Sequence, residues 1–141
     1  MIRLAVRQVN PSLPAASVDS LVAHLKANPG KLNYSSVGSG SMQHLSAELF
    51  KKLAGVDVAH ISYKGTAPAL LDLGAGRIQL AFESMPTVLP LVRAGSLKAL
   101  AMTTPRRSSL MPEVPTMAES GLKDFDVSIW YGVFGPGGMP R

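Results

Sequence analysis

The chain has no cysteine, so neither a disulfide nor a thiolate metal site is available to it. No stretch reaches the roughly 18 uninterrupted apolar residues of a membrane span. Between Met1 and Asn10 the apolar run is broken by Arg3 and Arg7, and no signal peptide is read in the chain. Aromatic residues make up only 6% of the sequence. The net charge is +5, which suits an anionic partner, but the basic residues are scattered and only Lys51-Lys52 and Arg106-Arg107 are adjacent. A nucleic-acid surface needs a denser basic stripe or a stacking platform, so no nucleic-acid partner is expected.

Several chemical signatures are also absent. No His-x-x-x-His or comparable pair is present to hold a metal, and no Gly-x-Ser-x-Gly presents a nucleophilic serine. Gly38 and Gly40 start a nucleotide-type fingerprint, yet Gln43 stands where its third glycine belongs and no Gly-Lys-Ser/Thr follows. No internal repeat is evident.

What the chain does have is length and apolar content for one globular domain: 141 residues, 46% hydrophobic and 16% charged. Ile2 to Val9 reads as a strand, stopped by the two prolines of Asn10-Pro11-Ser12-Leu13-Pro14. Ser17 caps a helix with Val18, Leu21, Val22 and Leu25 on one face, and Asn28-Pro29-Gly30 ends it. A strand over 32–37 hands over to a helix over 41–54 whose apolar face is Met42, Leu45, Leu49, Phe50 and Leu53. A strand over 56–63, a helix begun at Lys64-Gly65-Thr66-Ala67-Pro68, a strand over 77–82, a loop over 83–86, a helix ended by Gly95 and a strand over 97–102 complete the alternation. Residues 103–115 read as irregular, 116–120 as one helical turn, and 126–134 as a strand carrying Trp130 and Tyr131, packed as core or hinge.

Alternating strands and helices with short connections predict an α/β fold, a mostly parallel sheet flanked by helices. In open sheets of this kind ligands bind beyond the carboxyl ends of the strands. Three loops, at 38–44, 64–68 and 83–86, meet at that edge. The Gly-Ser loop before the second helix leaves backbone N–H groups and the Ser39 and Ser41 hydroxyls facing a common point, a natural seat for a carboxylate or phosphate. Ser41 is equally well explained as a plain N-cap. Ser41, His44 and Glu83 have the residue types of a hydrolytic triad, but residues three apart at a helix start point in different directions, so no catalysis is expected. His60, inside a strand, reads as structural and His24 as exposed. Lys64 reads either as an anion's partner or as a surface cation.

The order of motifs resembles the Bug family of extracytoplasmic solute receptors, the substrate-binding components of tripartite tricarboxylate transporters. It is carried by Asn10-Pro11-Ser12-Leu13-Pro14, Pro29-Gly30-Lys31-Leu32-Asn33-Tyr34, Gly38-Ser39-Gly40-Ser41 with Gln43-His44-Leu45, Glu48-Leu49-Phe50, Tyr63-Lys64-Gly65 with Ala67-Pro68-Ala69, Pro112-Glu113-Val114-Pro115-Thr116, and Trp130-Tyr131-Gly132. The resemblance implies one lobe, the second, of a two-lobed type II periplasmic binding protein that closes over a small carboxylate without cofactor, metal or catalysis. It implies a periplasmic location and membrane transporter subunits as partners. Carried over by position, Ser39, Gly40, Ser41 and His44 line the carboxylate seat, Lys64, Gly65 and Thr66 lie beside it, and Glu83 with Ser84 form a third wall, where members often have Asp and Asn. Residues 1–9 are then a strand or leader to the lobe, 10–125 the lobe itself, and 126–141 a return segment toward the first lobe, which is absent along with its Pro-Gly-Gly loop. The alternative is a truncated domain with little ligand affinity that self-associates through the surface and edge strand the other lobe would cover.

Overall fold

The computed structural model describes residues 6–9 and 13–128. Among the described residues five strands form one sheet: β1 (Val6–Val9), β2 (Asn33–Ser36), β3 (Ala59–Ser62), β4 (Leu80–Glu83) and β5 (Lys98–Met102). Their spatial order is β3-β2-β4-β1-β5. β2 runs parallel to both β3 and β4, whereas β1 lies antiparallel between β4 and β5. Four strands therefore point one way, and β1 runs back between β4 and the edge strand β5. The expected α/β architecture is what forms.

Four helices connect the strands: α1 (Val18–Ala27), α2 (Met42–Ala54), α3 (Thr66–Gly74) and α4 (Met85–Arg93). Ser17 starts α1 in a reciprocal cap, its hydroxyl accepting from the Ser20 N–H while Ser20 Oγ accepts from the Ser17 N–H. Gly55 ends α2 in the left-handed conformation, φ 62 and ψ 47, which glycine enters without a side-chain clash.

Strand alternation divides the core. Leu80 and Phe82 of β4 face α1, α2, Met117 and Phe125, while Ala81 between them faces Leu73 of α3 and Leu97. A further cluster joins Met85 and Val88 of α4 to Met102, Met111 and Val114. The irregular segment after β5 thus packs on both sides of the sheet, and it is pinned by backbone bonds from Met102 N to Pro115 O and from Met117 N to Met102 O.

Four sequence expectations shift. The buried face of α2 is Ser46, Ala47, Phe50 and Ala54, whereas Leu45, expected inside, is 51% exposed. The small Ser46 and Ala47 let the helix lie close on the sheet, turning Leu45 outward. The loop expected at 83–86 contracts to Ser84: Glu83 is the last residue of β4 and Pro86 sits in the first turn of α4, where its missing N–H costs nothing. His24, expected exposed, is half-buried. The strand expected over 126–134 is described only to Ser128; those residues are not in a strand, although Val127 N donates to Thr103 O and Thr103 Oγ1 to Val127 O. Trp130 and Tyr131 lie outside the described residues.

Candidate functional site

Because β2, β3 and β4 are parallel neighbours, the helices that follow them begin at one edge of the sheet. The starts of α2, α3 and α4 meet there, bringing a partial positive charge and unpaired N–H groups to one place. Of these three helices only α2 has a side-chain cap. Gly65 before α3 is extended (φ 161, ψ 166) and Ser84 before α4 turns its hydroxyl to Thr87 Oγ1 at 2.7 Å, so neither helix start is closed by its own side chain.

The Gly-Ser loop is held from beneath. Ser36, fully buried at the end of β2, accepts from Gly38 N at 3.0 Å and shares a 2.6 Å hydrogen bond with His60 Nε2. Ser41 Oγ donates to Gly38 O at 2.7 Å and accepts from His44 N at 3.3 Å. Gly40 N donates to His44 Nδ1 at 3.3 Å, which places the ring proton of neutral His44 on Nε2. Gly40 itself has φ 81, a conformation that side chains disfavour.

Behind the loop lies an aromatic and ionic cluster. The His44 and His60 ring centroids are 4.6 Å apart, and His60 stacks on Tyr34 at 5.0 Å. Burial, with His44 beside it, holds the His60 imidazole below its usual pKa. Tyr34 donates to Glu48 Oε1 at 2.8 Å, and Lys51 Nζ lies 2.9 Å from the same oxygen. Burial opposes ionisation of Glu48, but the bonds from Lys51 and Tyr34 outweigh it and hold the carboxyl below its usual range. Burial and then Glu48 raise the Tyr34 phenol above its ordinary value.

Glu83 closes the floor between the three helices. It is 3% exposed, with Gln43 of α2, Thr66 of α3 and the Ser84 N–H within hydrogen-bonding reach of its carboxyl. Burial pushes its pKa up to about 7, against those three donors.

All the sequence-derived candidates therefore fall along one edge, and Thr66, Glu83 and Ser84 are brought together. Ser39, Gly40 and Lys64 are exposed; Ser41, His44, Gly65, Thr66 and Ser84 are half-buried. The residues of the notional triad do not form one: Ser41 is engaged by Gly38 and the His44 backbone, His44 Nδ1 by Gly40, and Glu83 by Gln43 and Thr66. Sequence reasoning did not place Ser36, Tyr34 or Gln43 among the site residues. For Gln43 a signal existed, since it follows the N-cap by two residues and so sits in the first turn facing the loop. Among the described residues two concave grooves, each about 380 Å³, lie away from this edge, one between α1, α2 and the 120–122 turn and one beside α4 and β5. Among the described residues no helix is long and apolar enough to cross a membrane.

A mostly parallel sheet whose helix starts gather neutral donors at one edge is an open α/β architecture that takes ligands beyond the carboxyl ends of its strands. Residues 3–141 match the model of the tripartite tricarboxylate transporter family receptor, and the chain belongs to that family. Protein BugT of Bordetella pertussis is 43% identical over 129 residues, 92% of this chain and 40% of the relative. The structure of R. palustris Rpa4515 with adipate superposes with a TM-score of 0.93 at 38% identity, over 99% of this chain and 47% of that one. MatC from Rhodopseudomonas palustris with bound malate gives 0.84 at 26% identity, over 90% and 45%. The chain spans less than half the length of these relatives.

Proposed function

We propose that this chain is the second lobe of a periplasmic solute receptor and binds a small carboxylate, without catalysis, at the joined starts of α2, α3 and α4. Residues 10–125 make up the lobe and 126–141 lead toward the first lobe. The observation that carries the reading is the meeting of three helix starts, two without side-chain caps, over a loop rich in small hydroxyl residues. Ser39, Gly40, Ser41 and His44 line the seat, the Nε2–H of His44 serving as donor; Lys64, Gly65 and Thr66 flank it, and Glu83 with Ser84 underlie it. Neutral donors at a helix start hold a carboxylate without an arginine clamp. Dicarboxylates such as the adipate and malate bound by Rpa4515 and MatC are the class to try first, and transporter subunits in the membrane are the expected partners.

The test is an amide NMR titration of this chain with adipate and malate. Saturable shifts confined to residues 38–44, 64–66 and 83–84 support the reading, and a well-dispersed spectrum unmoved at millimolar ligand overturns it for this chain. A second reading, self-association with little ligand affinity, is favoured by Val37 and Leu45, 39% and 51% exposed beside the loop. Concentration-dependent sedimentation without ligand response identifies it.

A further inference from the structure

The inference concerns Glu83 and rests on the carboxylate-receptor reading. Glu83 ends the central strand β4 and is buried at the point where α2, α3 and α4 begin. Its partners are all dipolar: the Gln43 amide, the Thr66 hydroxyl and the Ser84 N–H. The charged and titratable groups on the packed elements are engaged or distant. On α2, His44 turns Nδ1 to Gly40, and Glu48 pairs with Lys51. On α3, Asp72 pairs with Arg77 and accepts from Tyr63, while Lys64 just before the helix is exposed. Arg93 is in the last turn of α4, His60 on β3 is bound to Ser36, and the β1 residue opposite Glu83 is Val6. Among the described residues no cation is paired with Glu83, and the helix starts that stabilise its negative charge are the same ones that would receive a ligand carboxylate.

We propose that Glu83 is a proton-uptake group for ligand binding: when a carboxylate settles on these helix starts, the buried Glu83 carboxylate takes one proton from solvent, so anion and proton are bound together. Two like charges sharing one poorly solvated set of donors do not both stay ionised. The balance is simple: ionised Glu83, ligand carboxylate and one buffer proton give neutral Glu83 and a bound carboxylate. The surroundings tolerate the change, because the Gln43 amide and the Thr66 hydroxyl can accept as well as donate, and a neutral Glu83 keeps partners in both states. Its pKa of about 7 in the free lobe leaves it partly ionised and ready to respond. Glu83 thus acts as a positioning residue that favours binding at lower pH.

The test is a carbon-13 side-chain NMR titration of Glu83 in this chain, free and saturated with adipate, together with adipate affinities at pH 6.5 and 8.5. The expected result is a Glu83 midpoint raised by about one unit or more in the complex and adipate affinity weakened roughly tenfold at the higher pH. In Glu83→Gln the ratio of the two affinities falls toward one, which separates Glu83 from the histidines. Saturating amide shifts at 38–44 with an unmoved Glu83 midpoint overturn this proposal and leave the receptor reading intact. Absence of any amide shift removes both. Should the variant not fold, the midpoint measured in the unaltered chain decides alone.

Discussion

Ser36 Oγ and His60 Nε2 stand 2.6 Å apart, joining the last residue of β2 to the edge strand β3 directly beneath the Gly-Ser loop. The same hydroxyl accepts from Gly38 N, so one buried oxygen sets both the strand pairing and the first residue of the turn. Ser36→Ala leaves two polar groups without this partner and is expected to lower stability by about 1–3 kcal/mol. Urea unfolding of the two proteins measures it. A difference near zero would mean that the loop is held by Ser41 alone.

Stability should fall as pH rises from 5 to 8 because of Glu83. Its folded pKa of about 7 lies above the ordinary 4.5, so between those values the folded state holds a proton that the unfolded chain has released. That contribution is complete below 4.5 and is lost as pH rises through 7, on the order of 3 kcal/mol in all. Glu83→Gln removes this slope in denaturant midpoints across the range, and an unchanged slope would assign it elsewhere.

His60 works in the opposite direction. Its folded pKa lies below the ordinary 6.5, so its contribution is present above that value and is lost as pH falls through the folded one. His60→Gln is therefore expected to lose less stability than the parent between pH 6.5 and 4.5. Equal losses would show that the imidazole titrates alike in both states.

Gly40 and Gly65 look alike in sequence and should behave differently. Open space surrounds a Cβ at either position, but Gly40 has φ 81 whereas Gly65 is extended at φ 161. Gly40→Ala is expected to cost about 1 kcal/mol through backbone strain and to shift the amides of residues 38–44, and Gly65→Ala to stay within roughly 0.5 kcal/mol. Thermal unfolding and amide spectra distinguish them.

The parallel part of the fold was legible because each unit carries local punctuation: Ser17, Ser41 and Gly55 mark helix ends, and the apolar runs between them have strand length. The place of β1 was not, since no local signal says that Val6–Val9 runs antiparallel between β4 and β5, far along the chain. That the loops at 38–44 and 64–68 open helices at one edge of the sheet could be read from loop chemistry. The role of Ser36 and His60 depends on the register that sets Tyr34 beside His60 and Ser36 beside Ser62, and register belongs to the sheet as a whole. Leu45 was misassigned because helical periodicity allows two overlapping faces, and Ser46 with Ala47 decides between them only through packing.

The Tyr34–Glu48 bond offers a test of whether the cluster behind the loop acts as one unit. Tyr34 is 1% exposed and its hydroxyl ends on a carboxylate oxygen already shared with Lys51. Tyr34→Phe keeps the ring stacked on His60 and removes only the hydroxyl, so a loss of about 0.5–1.5 kcal/mol is expected. It also removes one of the donors holding the Glu48 pKa down, so that carboxyl should titrate higher in the variant, visible by carbon-13 NMR. Glu48→Gln and the double variant complete a cycle whose coupling isolates the pair. A coupling indistinguishable from zero would mean that solvent replaces the Tyr34 hydroxyl at Glu48 without loss, and that the ring's packing against His60 is what Tyr34 contributes to this edge of the sheet.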